Sequence, residues 1–208
     1  MVHGNGSRQY SRDMDFSTVP TLTGSRVTLE PLAASHAAEL ASAVGELWRS
    51  WYTTVPKPEG MAAEIDRRLA LQDGGSMLPF AVRRNDTGVA VGMTTFMNLE
   101  PDDRRLEIGS TWLAKSAQRT GVNTESKLLL LGHAFDTLNC IAAEFRTHWH
   151  NLQSRKAISE LGAKQDGVLR NHHVWRDGTL RDTVVFSIIE SEWPTVRLSL
   201  TERLAAHD

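Results

Sequence analysis

Residues 105–125 constrain the fold more than any other part of this chain. Arg105-Leu106-Glu107-Ile108-Gly109-Ser110-Thr111-Trp112-Leu113 mixes polar and apolar residues in the manner of a strand with two different faces. Simple alternation sends Glu107, Gly109, Thr111 and Leu113 to one side and Leu106, Ile108, Ser110 and Trp112 to the other. A polar loop follows, containing Gln118-Arg119-Thr120-Gly121-Val122-Asn123-Thr124. Residues 124–138 then place apolar side chains at 128, 129, 131, 135 and 138, the spacing of a buried helix face. A strand that enters a helix through a short loop leaves the first helical N–H groups unpaired and aims them, with the positive helix end, at one point. That arrangement suits a pyrophosphate. Gly121 allows close backbone approach, and Arg119 can add a charge-assisted contact.

The rest of the chain surrounds this unit with short alternating elements. Strands are expected at 26–30, 78–83, 89–97, 141–149, 168–174 and 182–189, and helices at 33–44, 61–71 and 151–161. Asn85-Asp86-Thr87-Gly88 and Asp177-Gly178 mark hairpin turns. Pro31 closes the first strand, and Gly162 closes the helix at 151–161. The order predicts an α/β (α+β) domain, with a mixed, mostly antiparallel sheet flanked by helices. Residues 1–20 read as a flexible arm, 21–195 as the domain and 196–208 as a C-terminal tail.

Composition narrows the partners. The 23 basic and 25 acidic residues nearly balance and form no basic block, so a nucleic-acid surface has no support. Cys140 is the only cysteine, which rules out an intrachain disulfide and fits a reducing compartment. No apolar run approaches the roughly 20 residues that span a bilayer, so a cytoplasmic protein with no membrane partner is expected.

The loop resembles the coenzyme A signature of the GNAT acetyltransferases, Gln/Arg-x-x-Gly-x-Gly/Ala. Gln118, Gly121 and Asn123 stand at its three positions, with Asn in place of the third Gly or Ala. Asn tolerates unusual backbone conformations and caps helices well. Asn151-Leu152-Gln153-Ser154, with Leu161-Gly162 beyond it, is similar to the family's Asn-x-x-Ser helix and its end; Ala163 replaces an aromatic. Gly167-Val168-Leu169-Arg170, Arg176-Asp177-Gly178, Arg181-Asp182-Thr183 and Glu192-Trp193-Pro194 extend the likeness to the RimJ/RimL-type branch over about residues 22–194.

The resemblance implies a function. Acetyl-coenzyme A would be the co-substrate, with no metal, and a primary amine on a protein N-terminus or a small molecule the acceptor. In the family the fourth and fifth strands, here 105–113 and 141–149, splay apart and take the pantetheine arm between them. The backbone of Trp112, Leu113 and Ala114 would then meet the pantetheine amides, Gln118, Arg119, Thr120, Gly121, Val122, Asn123 and Thr124 the pyrophosphate, and Asn151 the pantetheine arm. Ser154 stands where this branch often places a hydroxyl near the sulfur, as proton donor to the leaving thiolate. For the base there are two readings, Glu107 on the fourth strand and His173 of the His172-His173 pair, of which one member can face the cleft if the segment is extended. A homodimer is the family's suggestion for assembly.

Ordinary readings stand beside each of these. Asn151 and Ser154 are good capping residues, Glu107 can be a solvated strand carboxylate, and the histidine pair can lie on the surface. A non-catalytic acyl-coenzyme A-binding module would keep the same cofactor residues. Trp48, Trp51 and Tyr52 either pack the core or line the acceptor cleft. His148-Trp149-His150 puts two imidazoles on one side of a strand, but no third metal ligand has a recognisable spacing. Cys140, with no orienting motif, reads as core. The Gly-Lys-Ser/Thr ending of a phosphate-binding P-loop is absent after Gly121.

Overall fold

The computed structural model describes residues 15–206. Its strands are β1 (Leu22–Thr23), β2 (Val27–Pro31), β3 (Met77–Arg84), β4 (Ala90–Glu100), β5 (Arg105–Leu113), β6 (Ala142–His148), β7 (Lys164–Val174) and β8 (Leu180–Ile189). They form one sheet in the order β1-β2-β3-β4-β5-β6-β8-β7. Every neighbouring pair is antiparallel except β5 and β6. That parallel pair joins only Arg105–Glu107 to Ala142–Glu144, after which the two strands part. The expected mixed, mostly antiparallel sheet with splayed central strands is therefore present. The two-residue β1 shifts the splayed pair from fourth and fifth to fifth and sixth.

Helices cover both faces, because each strand carries apolar residues on both sides. On one face α1 (Ala37–Val44) and α2 (Met61–Asp73) pack Leu40, Val44, Met61 and Ile65 against Ala81, Met93 and Trp112. On the other, α3 (Val122–Gly132), α4 (Leu152–Glu160) and α5 (Trp193–Ala205) bury Leu130, Ile158 and Val196 with Leu106, Ile108 and Phe145. Cys140 lies fully buried in this second core, and burial pushes its thiol up to about 12. Among the described residues no helix is long and apolar enough to cross a membrane.

Several boundaries differ from the sequence expectation. Residues 196–205, read as a tail, belong to α5, whose Trp193, Val196 and Leu200 are buried. The polar residues between those three positions hide their helical spacing. Of the arm at 1–20, residues 1–14 lie outside the described residues, while Phe16 is buried in the core. The first turn of the 33–44 helix is a 3-10 turn at Ala34–His36, and α3 starts at Val122 with Gly121 as its N-cap. Asn123 is thus the second residue of α3 and does not cap it.

The alternation expected along β5 fails at Ser110. Gly109 pairs with Thr95 and Trp112 with Met93, so Ser110 and Thr111 together oppose Thr94. This is a β-bulge, with Ser110 at φ +49°. The extra residue reverses the parity: Leu106, Ile108 and Leu113 join the core under α3, while Trp112 joins the core under α1 and α2. Trp112 and Leu113 have exchanged the sides that simple alternation gives them.

Candidate functional site

The site is built around the fork where β5 leaves β6. Glu107 is the last residue of β5 paired to β6, opposite Glu144, and its side chain turns away from the α3 core that takes Leu106 and Ile108. It is buried, and Asn98 Nδ2 donates to its Oε2 at 2.7 Å. Asn98 is aimed there by a second bulge, in β4 between Met97 and Glu100, where it adopts φ +47°. Arg146 Nε stands 3.6 Å from the same oxygen and also holds Glu144 at 2.8 Å. Gly109 leaves room for the carboxylate: a Cβ there would lie 2.9 Å from Glu107 Oε1. Burial pushes the Glu107 carboxyl up, against the lowering effects of the Asn98 hydrogen bond and Arg146. The result is an oriented, partly desolvated carboxylate at the open end of the parallel pair.

Two buried cations brace the bulge from opposite faces. Arg68 on α2 donates to Thr95 Oγ1 at 2.7 Å and to Glu64 Oε1 at 2.8 Å, and its remaining nitrogen reaches Ser110. From the other face Lys127 Nζ donates to Thr94 Oγ1 at 3.1 Å and Thr111 Oγ1 at 2.9 Å. Burial without a carboxylate partner pushes Lys127 down to about 7. Neither residue was singled out from sequence. The signal was present: Arg68 continues the Met61–Ile65 stripe at helical spacing, and Lys127 precedes Leu131 and Ala134 on one stripe.

The loop after β5 has the shape of an anion cradle. Arg119 has φ +62° and Gly121 φ +83°, and α3 begins with no side chain capping its first N–H groups. Thr120 Oγ1 donates to the Ala117 carbonyl at 2.7 Å, bracing the turn. Gln118 folds back, its Nε2 donating to the Leu113 carbonyl at 3.0 Å, so it ties the loop to the end of β5. Ala114 N still bonds Val91 O at 2.7 Å, which keeps Trp112, Leu113 and Ala114 extended along the fork. Val122 and Thr124 are buried in the first turn, while Asn123 stays partly exposed. Glu125 closes the cradle from behind, its carboxylate accepting from the backbone N–H groups of Ser25, Arg26 and Val27 at 3.0, 2.7 and 2.7 Å.

On the far side of the fork, Asn151 caps α4, its Oδ1 accepting from Ser154 N at 3.0 Å. The capping geometry expected of this pair is therefore present, and it sets Ser154 in the first turn of α4. Because α4 shares the core of α3, Ser154 and Glu107 belong to opposite faces of the sheet.

An aromatic and histidine wall stands over the Glu107 face. Trp51 packs 5.2 Å from His148 and 5.7 Å from His150, and Trp175 lies 5.7 Å from His148. Trp175 Nε1 donates to the Trp51 carbonyl at 2.6 Å and Arg176 to the Ser50 carbonyl at 3.0 Å. These two bonds tie the β7–β8 hairpin to the loop between α1 and α2. Trp51 is 48% exposed, so it lines the cleft and does not pack the core. Of the histidine pair, His172 is the member turned inward, with Nδ1 3.1 Å from Thr183 Oγ1, while His173 is exposed. The expected choice of His173 assumes an extended segment. The register of β7 shifts between Leu169 and His173, with Asn171 at φ +50°, and this reverses the facing. No group of three or more His, Cys, Asp or Glu among the described residues is placed to hold a metal.

A forked sheet with a bulged strand, an uncapped helix N-terminus beyond it and a carboxylate at the fork defines a class. Residues 26–164 match the family model of the acetyltransferase (GNAT) domain, and the chain belongs to that family. It is an acyl-coenzyme A-dependent N-acetyltransferase. A GCN5-related N-acetyltransferase from Brucella melitensis is similar at 29% identity and a TM-score of 0.81, covering 90% of this chain and 86% of its own. RimJ of Mycobacterium smegmatis, solved with a coenzyme A disulfide, shares 22% identity at a TM-score of 0.75, covering 90% and 96%. RimL, the ribosomal L7/L12 α-N-acetyltransferase, shares 18% at 0.72, covering 83% and 95%. The last two likenesses are of fold. No curated protein matches the sequence.

Proposed function

We propose that this chain transfers acetyl from acetyl-coenzyme A to a primary amine by direct attack within a ternary complex. The observation that carries this reading is the buried, oriented Glu107 carboxylate at the fork. Its raised pKa brings it nearer to neutrality than a free carboxylate, the direction that favours a general base. Glu107 takes a proton from the acceptor ammonium, directly or through one water. The amine nitrogen attacks the thioester carbonyl carbon, the C–S bond breaks, the departing thiolate receives a proton, and the nitrogen gives up its second proton to solvent to form the amide. Ser154, set on the opposite face by the Asn151 cap, is the donor for that proton. Trp112, Leu113 and Ala114 offer backbone groups to the pantetheine arm. The loop from Gln118 to Thr124 holds the pyrophosphate, with Asn123 contributing its backbone N–H. Exposed His173 leaves the base role to Glu107.

The acceptor is an amine on a protein N-terminus or a small molecule. Calorimetric titration with acetyl-coenzyme A tests the cofactor site, with Gly121→Glu as the control expected to abolish binding. Steady-state acetylation then tests the base: Glu107→Gln retains binding and loses about 10²–10⁴-fold in kcat. No binding by the intact chain refutes the acetyltransferase reading, and a fully active Glu107→Gln moves proton removal to another group.

A further inference from the structure

Among the described residues, one arginine over the Glu107 cleft has no salt-bridge partner. Glu144 is held by Arg105 and Arg146, and Glu107 by Asn98 and Arg146. Asp182 accepts from Arg170 Nε at 2.6 Å and Asn171 N at 2.7 Å. Arg181, its neighbour on β8, makes no ion pair among the described residues. Its guanidinium lies 4.9 Å from the Trp175 ring centre, and its Nε is buried with no hydrogen-bond partner. Half-burial lowers the pKa of Arg181, partly offset by the charge of Glu107, yet a guanidinium stays protonated throughout the accessible range. His148 and His172 nearby are pushed down first by burial and then by neighbouring positive charges, Arg181 among them, which favours their neutral forms.

A desolvated guanidinium beside an indole has its plane steadied by the ring, and its edge is suited to bidentate contact with a carboxylate. We propose that Arg181 binds a carboxylate carried by the amine acceptor, so the substrates are amino carboxylates: amino acids, or peptides with an acidic group close to the reacting amine. This rests on the cleft serving as the acceptor site of the transferase. The carboxylate is assigned to the acceptor because Arg181 stands on the hairpin whose Trp175 is bonded to Trp51, away from the cofactor loop. In this arrangement Glu107 would face the amine while Arg181 holds the acid, which fixes the orientation of the acceptor.

The test compares kcat/KM for matched acceptors differing only by carboxylate against carboxamide: amino acids with their amides, and acidic peptides with their carboxamide counterparts. The carboxylate member should be preferred by about tenfold to a hundredfold, the worth of a charge-assisted bond. Arg181→Met should bring the ratio close to one, and Arg181→Lys should restore part of it. Thermal unfolding of both variants verifies that they fold. Equal use of both members by the wild type overturns the inference and leaves the transferase reading standing. A ratio that survives in Arg181→Met also overturns it. An Arg181-dependent preference for succinyl- over acetyl-coenzyme A would move the carboxylate to the acyl group and overturns the acceptor assignment. Acetyl-coenzyme A binding with no turnover on any member overturns both readings.

Discussion

One guanidinium nitrogen of Arg68 donates to both the carbonyl and the hydroxyl of Ser110, at 3.1 and 2.9 Å. Ser110 is the residue at which β5 bulges, so a helix on one face of the sheet holds the irregularity that reverses the strand's parity. The bulge needs such a partner. A non-glycine residue at φ +49° is strained, and its carbonyl is turned out of the ladder.

Replacing Arg68 by Met should therefore do two things. The buried Thr95 hydroxyl and the two oxygens of the exposed Ser110 lose their donor, at a cost of about 1–3 kcal/mol in denaturant unfolding. Glu64 keeps Arg67, at 2.8 Å, so it is not left unpaired. The second effect is on the cofactor: relaxation of the bulge moves the backbone of Trp112 and Leu113 and should weaken acetyl-coenzyme A about tenfold by calorimetry. Lost stability with full affinity would mean that the bulge keeps its shape without Arg68.

Asn98 controls the base in a way that a pH profile can read. Its hydrogen bond favours the ionised form of Glu107, in opposition to burial. Asn98→Ala should shift the acid limb of kcat/KM to higher pH and cost about two- to tenfold at neutral pH. A profile that falls uniformly with no shift of the limb would assign Asn98 to packing alone.

Lys127 gives a stability prediction with a defined sign. Its pKa falls from 10.5 to about 7 on folding, so between those values the unfolded chain binds more protons than the folded one. Stability contributed by this group is therefore present at high pH and declines as pH falls towards about 7. Lys127→Met removes that penalty and should stabilise the protein by ~3 kcal/mol near neutrality, with the gain shrinking towards pH 10. Thr94 and Thr111 remain bonded to each other at 2.8 Å, so no buried hydroxyl is orphaned. Denaturant unfolding at several pH values measures this, and a gain independent of pH would mean that Lys127 keeps its charge in the fold.

The sequence discloses the elements through features that are local. Periodicity places most strands and helices, and resemblance to the family's motifs picks out the Gln118–Gly121 loop and the Asn151–Ser154 pair. What escapes is set by tertiary geometry. The bulges at Asn98, Ser110 and Asn171 are ordinary polar residues forced to positive φ by their neighbours, and each reverses a facing that simple alternation assigns. For that reason Glu107 was readable, on the regular half of β5, while the facing of Trp112 and the choice between His172 and His173 were not. Arg181 escapes for another reason: among the described residues it forms no salt bridge, a feature of the folded arrangement that one-dimensional text does not record.

The brevity of the β5–β6 pairing has a mechanical consequence. Three residue pairs make up the strand ladder that joins β1 to β5 on one side with β6 to β8 on the other. A pantetheine arm laid along the fork would act as rungs in that seam. Cofactor capture would then stiffen the enzyme along one line, slowing amide exchange beside the seam more than farther out on either side.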